Sequence, residues 1–323
     1  MKRETLSHLL RWLGPFLALA LACLLFTTLL PGQFLSAYNL KTIATQTVIV
    51  GLSAIGMTFV IVSGGIDLSV GSNIALSSVV TALILRADGS APLALCGGMA
   101  AGLVLGSING ALITRLAIVP FIVTLGSMGL ARGLAKYLAG EQKIDAPARG
   151  LQALMAKSPD PPWLLLSPGV WLLLAAGILA AFVLARSVFG VHAVAIGSNE
   201  ATARLCGIRV ERRKLGIYTL CGACAGLAGS LQFARLTVGD PTTALGKELD
   251  VIAAVVIGGG SLAGGSGSIL GSLIGAFLMT VLANGCTLLG VPNYVQEMLV
   301  GAIIIAAVAL DRLRSSHGGG PRS

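Results

Sequence analysis

Apolar residues run in long continuous stretches along this chain, at about 12–30, 41–63, 70–85, 92–113, 118–138, 169–185, 214–234, 249–259, 267–289 and 294–310. None has the alternation over about ten residues that a membrane β-barrel strand requires. A hydrocarbon core about 30 Å thick takes about 20 apolar residues of helix. The pattern therefore predicts an all-α polytopic membrane protein of about eight to ten transmembrane helices. The third and eighth stretches are short, so eight or nine full spans plus a re-entrant piece is the alternative count. The division that follows is a flank at 1–11, one transmembrane domain at 12–310 and a tail at 311–323.

Composition agrees with lipid as the solvent. The 323 residues are 55% hydrophobic and only 11% charged, with a mean hydropathy of +0.90; a soluble domain is about a quarter charged. The 43 glycines suit close helix approach and backbone broken under cover of other protein. Lys2-Arg3 before an apolar run imitates a secretory signal, but the run from Trp12 to Leu30 is long for one and more spans follow, so an uncleaved first helix is expected. Cys23 lacks the large aliphatic residue three places upstream that a lipoprotein site needs.

The charge of +9 comes without a basic tract carrying interleaved aromatics, so no nucleic acid is expected as a partner. Basic residues orient the chain instead: Lys2, Arg3 and Arg11; Arg186, Arg204, Arg209, Arg212, Arg213 and Lys214; and Arg312, Arg314 and Arg322. The positive-inside rule places all three groups in the cytoplasm, with six spans and then four between them. Segment 186–214 becomes a cytoplasmic loop, and the proline-rich stretch 141–168 falls outside.

Several chemistries lack their residues. Gly246-Lys247 is followed by Glu248 rather than Ser or Thr, so no P-loop is present. Neither G-x-S-x-G nor H-E-x-x-H occurs, and His8, His192 and His317 lie near predicted cytoplasmic ends. Cys221-Gly-Ala-Cys224 has no second ligand pair and reads as small residues in a helix. No catalytic residue, metal or cofactor is expected.

Two glycine-rich stretches echo each other, Val62-Ser63-Gly64-Gly65-Ile66-Asp67-Leu68-Ser69-Val70-Gly71-Ser72 and Ile257-Gly258-Gly259-Gly260-Ser261-Leu262-Ala263-Gly264-Gly265-Ser266. Asn109-Gly110 before Val119-Pro120 is echoed by Asn284-Gly285 before Val291-Pro292. The spacings differ, so an internal repeat and coincidence among small residues both fit. As a repeat, the pattern points to a substrate path between paired broken helices. Asp67, Arg132, Lys136, Arg235, Asp250 and Glu297 lie in or beside the spans. Ionisable groups there are costly, and snorkelling to the headgroups is the simple reading for those near span ends. Asp67 differs, because flanking glycines leave backbone that its carboxylate can satisfy; it reads as a brace for a helix break.

Residues 195–208 specify a short helix. Asn199 can cap it, Glu200 suits its positive end, and Gly207 can stop it. Ala201, Leu205 and Ile208 form an apolar stripe at i, i+4 and i+7. A groove on a partner protein or the membrane surface could receive that stripe.

This segment resembles the coupling region of the ribose-type sugar permeases of ABC importers. Ser63 to Gly71, Pro120-Phe121-Ile122-Val123-Thr124-Leu125-Gly126 and Val256 to Gly265 resemble the same family, and the similarity covers about residues 10–312. The resemblance implies a permease in the bacterial inner membrane, surrounded by lipid, without enzymatic activity of its own. It further implies a second permease copy (usually a homodimer), a cytoplasmic ABC ATPase subunit and a periplasmic sugar-binding protein that delivers a monosaccharide of the ribose, xylose, arabinose or galactose kind. By the same similarity, Asn199, Glu200, Ala201, Arg204, Leu205 and Gly207 lie at the ATPase contact. Gly64, Gly65, Asp67, Ser69 and Gly71, with Gly258, Gly259, Gly264 and Gly265, belong to the family motifs and helix breaks, Asp67 close to the membrane boundary. Loop 141–168 and the turn at Asp88 match no family pattern. Two other readings stand beside this one: a permease of the same superfamily for branched-chain amino acids or nucleosides, and a stand-alone secondary transporter, for which the spans offer few mid-membrane acids.

Overall fold

The computed structural model describes residues 2–318; Arg322, counted above in the C-terminal tail, lies outside them. Its centre is a contact between two helices with almost no side chains where they meet. Along α4 (Ala91–Arg115), Gly98, Gly102, Gly106 and Gly110 recur every four residues and share one face. Facing them on α9 (Val210–Leu236) are Gly222, Gly226 and Ser230. A Cβ on Gly102 would meet the Gly222 carbonyl and the Gly226 backbone, and one on Gly106 would meet the Tyr218 carbonyl. The two backbones therefore touch. In lipid, where apolar side chains gain little by leaving their solvent, such close van der Waals packing is what holds helices together.

The next helix, α3 (Val70–Arg86), lies against this pair with its polar side turned inward. Asn73 Nδ2 donates to the Gly102 and Gly222 carbonyls, each at 3.3 Å, and Thr81 Oγ1 donates to Ser230 Oγ at 3.0 Å. α2 (Ala37–Val62) is almost wholly buried. It meets α9 where Gly56 faces Cys221 and Cys224. The two cysteines thus serve as small residues at a helix contact, and among the described residues no cluster suited to a metal ion occurs. α2 also meets α6 (Pro168–Arg186) through Gly51 and Leu173, and α11 (Ile269–Leu288) through a 2.8 Å hydrogen bond from Thr58 to Ser272. α10 (Lys247–Ile257) lies antiparallel to α11, with Gly258 on Gly271 and Gly275 on the Ala254 carbonyl. At the periphery, α1 (Lys2–Leu29) packs on α11, α5 (Pro120–Ala139) on α3, and α12 (Asn293–Gly318) on α10.

These ten helices coincide with the ten apolar stretches. Five of them, α2, α4, α6, α9 and α11, are long and apolar enough to cross a membrane by length and composition. The short third and eighth stretches become α3, of 17 residues, and α10, of 11. At about 1.5 Å per residue, α10 extends only about 16 Å, roughly half the core thickness. The exposed faces of α4, α5 and α6 carry leucine, valine, isoleucine and phenylalanine, as a lipid-facing surface requires. The chain is therefore an all-α multi-pass membrane protein.

At one end the connections fold onto one another. β1 (Ile144–Asp145) and β2 (Val238–Gly239) form an antiparallel pair, joining segment 140–167 to the loop after α9. Arg149 pairs with Asp88, which gives the Asp88 turn a structural partner, and Lys157 Nζ reaches the Tyr38 hydroxyl at 2.9 Å. Arg132 departs from the snorkelling expectation: its guanidinium turns onto the Pro241 and Thr243 carbonyls at 2.8 and 2.7 Å. Asp250 also has a partner, Lys247 at 2.5 Å, whereas Lys136 and Glu297 are exposed. Lys143 lies 3.3 Å from Asp240. Burial raises the Asp240 carboxyl, but hydrogen bonds from Thr242 and the Lys143 charge outweigh it and hold the group below its ordinary range.

The two sequence echoes do not describe one repeat. The first equates α2–α3 with α10–α11, whereas the second equates α4, which holds Asn109, with α11, which holds Asn284. No single superposition of helices satisfies both.

The glycine contact is open to test. Gly102→Val should lower the stability of the purified chain by about 1–3 kcal/mol, as overpacking does. Gly129→Ala, on α5 where an added Cβ meets nothing within 4 Å, should leave it unchanged. Thermal unfolding in detergent measures both, and equal losses would remove the special role of the α4–α9 crossing.

Candidate functional site

Segment 187–209 folds as two helices rather than as a loop. α7 (Val188–Ser198) follows α6 after a break at Ser187, and α8 (Glu200–Leu205) follows directly. The sequence signals for α8 act as expected. Asn199 Oδ1 accepts from the Thr202 N–H at 2.9 Å, which satisfies a free donor of the first turn. Gly207 has φ of +81°; its N–H donates to the Arg204 carbonyl at 2.9 Å and that of Ile208 to Ala203 at 3.1 Å, the paired bonds of a Schellman end.

Glu200 does more than face the helix dipole. It accepts from Arg204 at 2.9 Å and from Lys214, at the start of α9, at 2.6 Å, while Arg204 also pairs with Glu211. Burial raises the Glu200 carboxyl, yet the hydrogen bonds from Lys214 and Arg204 win and leave it below the usual glutamate range. With a depressed folded value, this clasp is fully present at neutral pH and is lost as pH falls through that value.

The apolar stripe divides. Ile208 turns inward and, with Ile196, Ala203 and Val210, forms a small apolar cluster under the helix. Ala201 is exposed, and Leu205 is 89% exposed. The chain turn at Gly207 separates Ile208 from the helical register that the i, i+4, i+7 count assumed. What remains outward is a leucine rimmed by ion pairs, on a helix fastened at both ends.

Behind α8 the two predicted helix breaks meet. α2 ends at Val62, and Gly64, with φ of +80°, turns the chain away. Asp67 is 2% exposed; its Oδ1 accepts from the Ser69 N–H at 2.9 Å and the Ser69 hydroxyl at 2.5 Å. Asn109 of α4 donates to that hydroxyl at 3.0 Å, and Thr124 of α5 donates to the Ile66 carbonyl at 3.2 Å. A Cβ on Gly65 would meet the buried Tyr218 hydroxyl, and one on Gly71 would meet Glu248. In the second break, Gly258 packs on Gly271, while Gly259, Gly264 and Gly265 all have positive φ. The Gly265 N–H donates to the Val62 carbonyl at 2.9 Å, so one break satisfies the other. Gly197, the last but one residue of α7, fills the remaining space: a Cβ there would strike the Val62 carbonyl and the Gly265 nitrogen.

The two groups of residues singled out from sequence are thus adjacent, joined by Gly197 and α7. Sequence reading missed that joint. The apolar run Val188–Ile196, interrupted only by His192, was a signal for α7, but its contacts with distant breaks had none. Asn109, which was noticed only as part of an echo, holds Ser69.

The fold and this junction define a polytopic helical membrane protein with a capped helix at one end. A family model described as "branched-chain amino acid transport system / permease component" matches residues 39–308. The ribose import permease protein of Escherichia coli (strain K12) is 38% identical over 295 residues, 91% of this chain and 92% of that protein. The ribose import permease protein of Bacillus subtilis (strain 168) is 41% identical over 319 residues, 98% and 97% of the two chains. An L-arabinose ABC transporter permease protein of Azospirillum brasilense is 35% identical over 285 residues, 88% and 83%. No solved structure matches the chain. The chain belongs to this permease family, within its sugar ABC transporter branch.

The brace at Asp67 yields a stability prediction. Asp67→Ala leaves buried donors of Ser69 without their acceptor and should cost about 1–3 kcal/mol. Asp67→Asn, which keeps an acceptor oxygen, should cost less. Identical melting of the alanine variant and the parent chain would sink the assignment.

Proposed function

We propose that the chain is the membrane-spanning permease subunit of an ATP-driven importer for a monosaccharide. The sugar is delivered by a periplasmic binding protein and passes through a pair of permease copies. A cytoplasmic ABC ATPase supplies the energy through α8. In this reading the N-terminus, segment 187–209 and the C-terminal end of α12 face the cytoplasm, where the positive-inside rule puts their arginines and lysines. The β1–β2 end then faces the periplasm. Names of relatives that specify ribose, L-arabinose and D-allose support a monosaccharide as the substrate class. The family description itself specifies branched-chain amino acids, so leucine belongs in any substrate panel.

One observation carries the mechanism: an exposed helix with a bare Leu205 and no partner for it stands on backbone that touches both helix breaks. A push on α8 is transmitted through the Glu200–Lys214 pair to α9 and through Gly197 to Val62 and Gly265. Those breaks border α2, α3, α10 and α11, so a shift there moves helices on both sides of the chain's centre. The contacts at Gly197 are backbone to backbone and have no rotamers in which to absorb the displacement.

Import into proteoliposomes should require ATP, a separate ATPase subunit and a loaded binding protein. Sugar uptake by the purified chain alone, driven by a proton or sodium gradient, would falsify the importer reading. Glu200→Arg reverses the clasp charge and Gly207→Pro removes the Schellman end. Each should lower ATP-driven import by about 5–150-fold, the range of an energetic coupling of 1–3 kcal/mol, in protein that still inserts. Unchanged import in both variants would take the coupling role away from α8.

A further inference from the structure

A cavity of about 220 Å³ lies between α2, α9, α10 and α11, roofed in part by Ala244 of the connection between α9 and α10 and by Lys247, the first residue of α10. Its lining is unusual for the interior of a chain this apolar. Gln46 enters from α2, Gln232 and Arg235 from α9, and Thr280, Asn284 and Thr287 from α11. Four of these, Gln46, Gln232, Arg235 and Asn284, are amides or guanidinium, which present fixed, directional donors and acceptors.

Two buried atoms in this lining have no protein partner. Asn284 is 8% exposed, and its Oδ1 accepts from nothing. Arg235 donates to Gln232 Oε1 at 3.3 Å through Nη2, but its Nε–H donates to nothing. Leaving buried polar atoms unsatisfied is costly, and such atoms mark places where something else is bound part of the time. The two orphans are of opposite kinds: Oδ1 needs a donor and Nε needs an acceptor. An anion would satisfy only the arginine, and a metal cation only the amide oxygen. A hydroxyl group gives and takes a hydrogen bond, so a molecule bearing neighbouring hydroxyls serves both atoms at once. Ile49, Val50 and Met279 add an apolar wall against which the C–H face of a sugar ring can pack. Lys247 pairs with Asp250 at 2.5 Å, so among the described residues of the lining only Arg235 carries a charge without an ion-pair partner, and a neutral hydroxyl can accept from it.

We infer that this cavity is a transient binding site for a neutral polyol of monosaccharide size, a station on the transport route inside a single permease copy, with Asn284 and Arg235 as its specificity-determining pair. The inference rests on the importer reading for its substrate. The cavity lies away from α8 and the glycine junction, so it is separable from the coupling device. Gln232 ties it to its roof: Nε2 donates to Thr243 Oγ1 at 2.8 Å, on the connection that Arg132 also holds. A solute that takes the hydrogen bonds of Gln232 therefore competes with the roof for them.

The test uses the full permease reconstituted with its ATPase and binding protein. Wild-type complex must first import a solute from a panel of ribose, arabinose, allose and leucine; import of leucine alone removes the monosaccharide reading, and import of none removes the importer reading, each on its own account. Asn284→Leu and Gln46→Leu should then each lower import about ten-fold, the worth of one lost hydrogen bond of about 1.4 kcal/mol, while the ATPase still co-purifies with the permease. Wild-type import by both variants overturns the site. Should either variant fail to assemble, a second measurement decides. Thr287→Cys, at the exposed rim of the cavity, is labelled with a thiol reagent in the assembled complex, and mass spectrometry reads that position alone. The transported sugar at millimolar concentration should slow the labelling several-fold, and sodium phosphate at the same concentration should not. No protection by the sugar, or equal protection by phosphate, overturns the assignment and leaves a water-filled cavity.

Discussion

Backbone that leaves a helix inside a membrane has no water to turn to, and each unsatisfied N–H or carbonyl there costs several kcal/mol. This chain leaves its helices after Val62, after Ser198 and after Ile257, and these three ends come to one place. The Val62 carbonyl takes the Gly265 N–H, Asp67 takes the Ser69 N–H, and Thr124 covers the Ile66 carbonyl. Each break is tolerable because other protein completes it. The same requirement explains the residue types. Two interrupted chains and the end of a third can come within hydrogen-bonding range only if Gly64, Gly197, Gly264 and Gly265 present no side chain to one another.

From this constraint follows the way the fold divides stiffness. Behind α8 the contacts are backbone to backbone, or between short side chains such as Asn109 on Ser69, while α8 itself is clasped to α9 by ion pairs. Around α4 and α9 the spacing is set by glycine against peptide, with no rotamer to yield. At the opposite end the elements are tied by long side chains: Arg132 to the Pro241 and Thr243 carbonyls, Gln232 to Thr243, and Lys143 to Asp240. Long side chains can let go and reform at small cost in geometry. In the importer reading, a push on α8 passes through the Glu200–Lys214 pair and the Gly197 contact into the glycine core, and reaches a second set of long side-chain ties at the far end, where the loop roofing the polar cavity sits.

How much of this was legible depended on sequence separation. Ten helices were visible because twenty apolar residues in a row have one stable fate in lipid. α8 was legible in detail, since its cap, charge and stop are local: Asn199 bonds Thr202, three residues on, and Gly207 ends the helix within its own turn. Asp67 was legible for the same reason, its partner being two residues away. Arg132 was misjudged because its partners are 109 and 111 residues distant. The stripe through Ile208 failed at the one residue that lies beyond the positive-φ glycine, where helical counting no longer applies. The glycine rows of α4 and α9 could be seen as small residues, but which row met which was not written in either.

The polar cavity and the glycine junction differ in a way that suits separate tasks. At the junction the backbone of the two breaks is hydrogen-bonded to other protein groups, so its geometry is fixed whether or not solute is present. In the cavity Asn284 Oδ1 and Arg235 Nε have none, so its free energy depends on what enters. A site that bound a sugar tightly would hold it, and the rate of passage would fall with every hydrogen bond added. Two orphan atoms and a few amides provide about one or two net hydrogen bonds, each worth about 0.5–1.5 kcal/mol. That is enough to favour a hydroxylated solute over an apolar one and too little to trap it. In the importer reading, energy input at α8 needs only to change the shape around a weak site, which a shift of connected helices by a fraction of a turn can do.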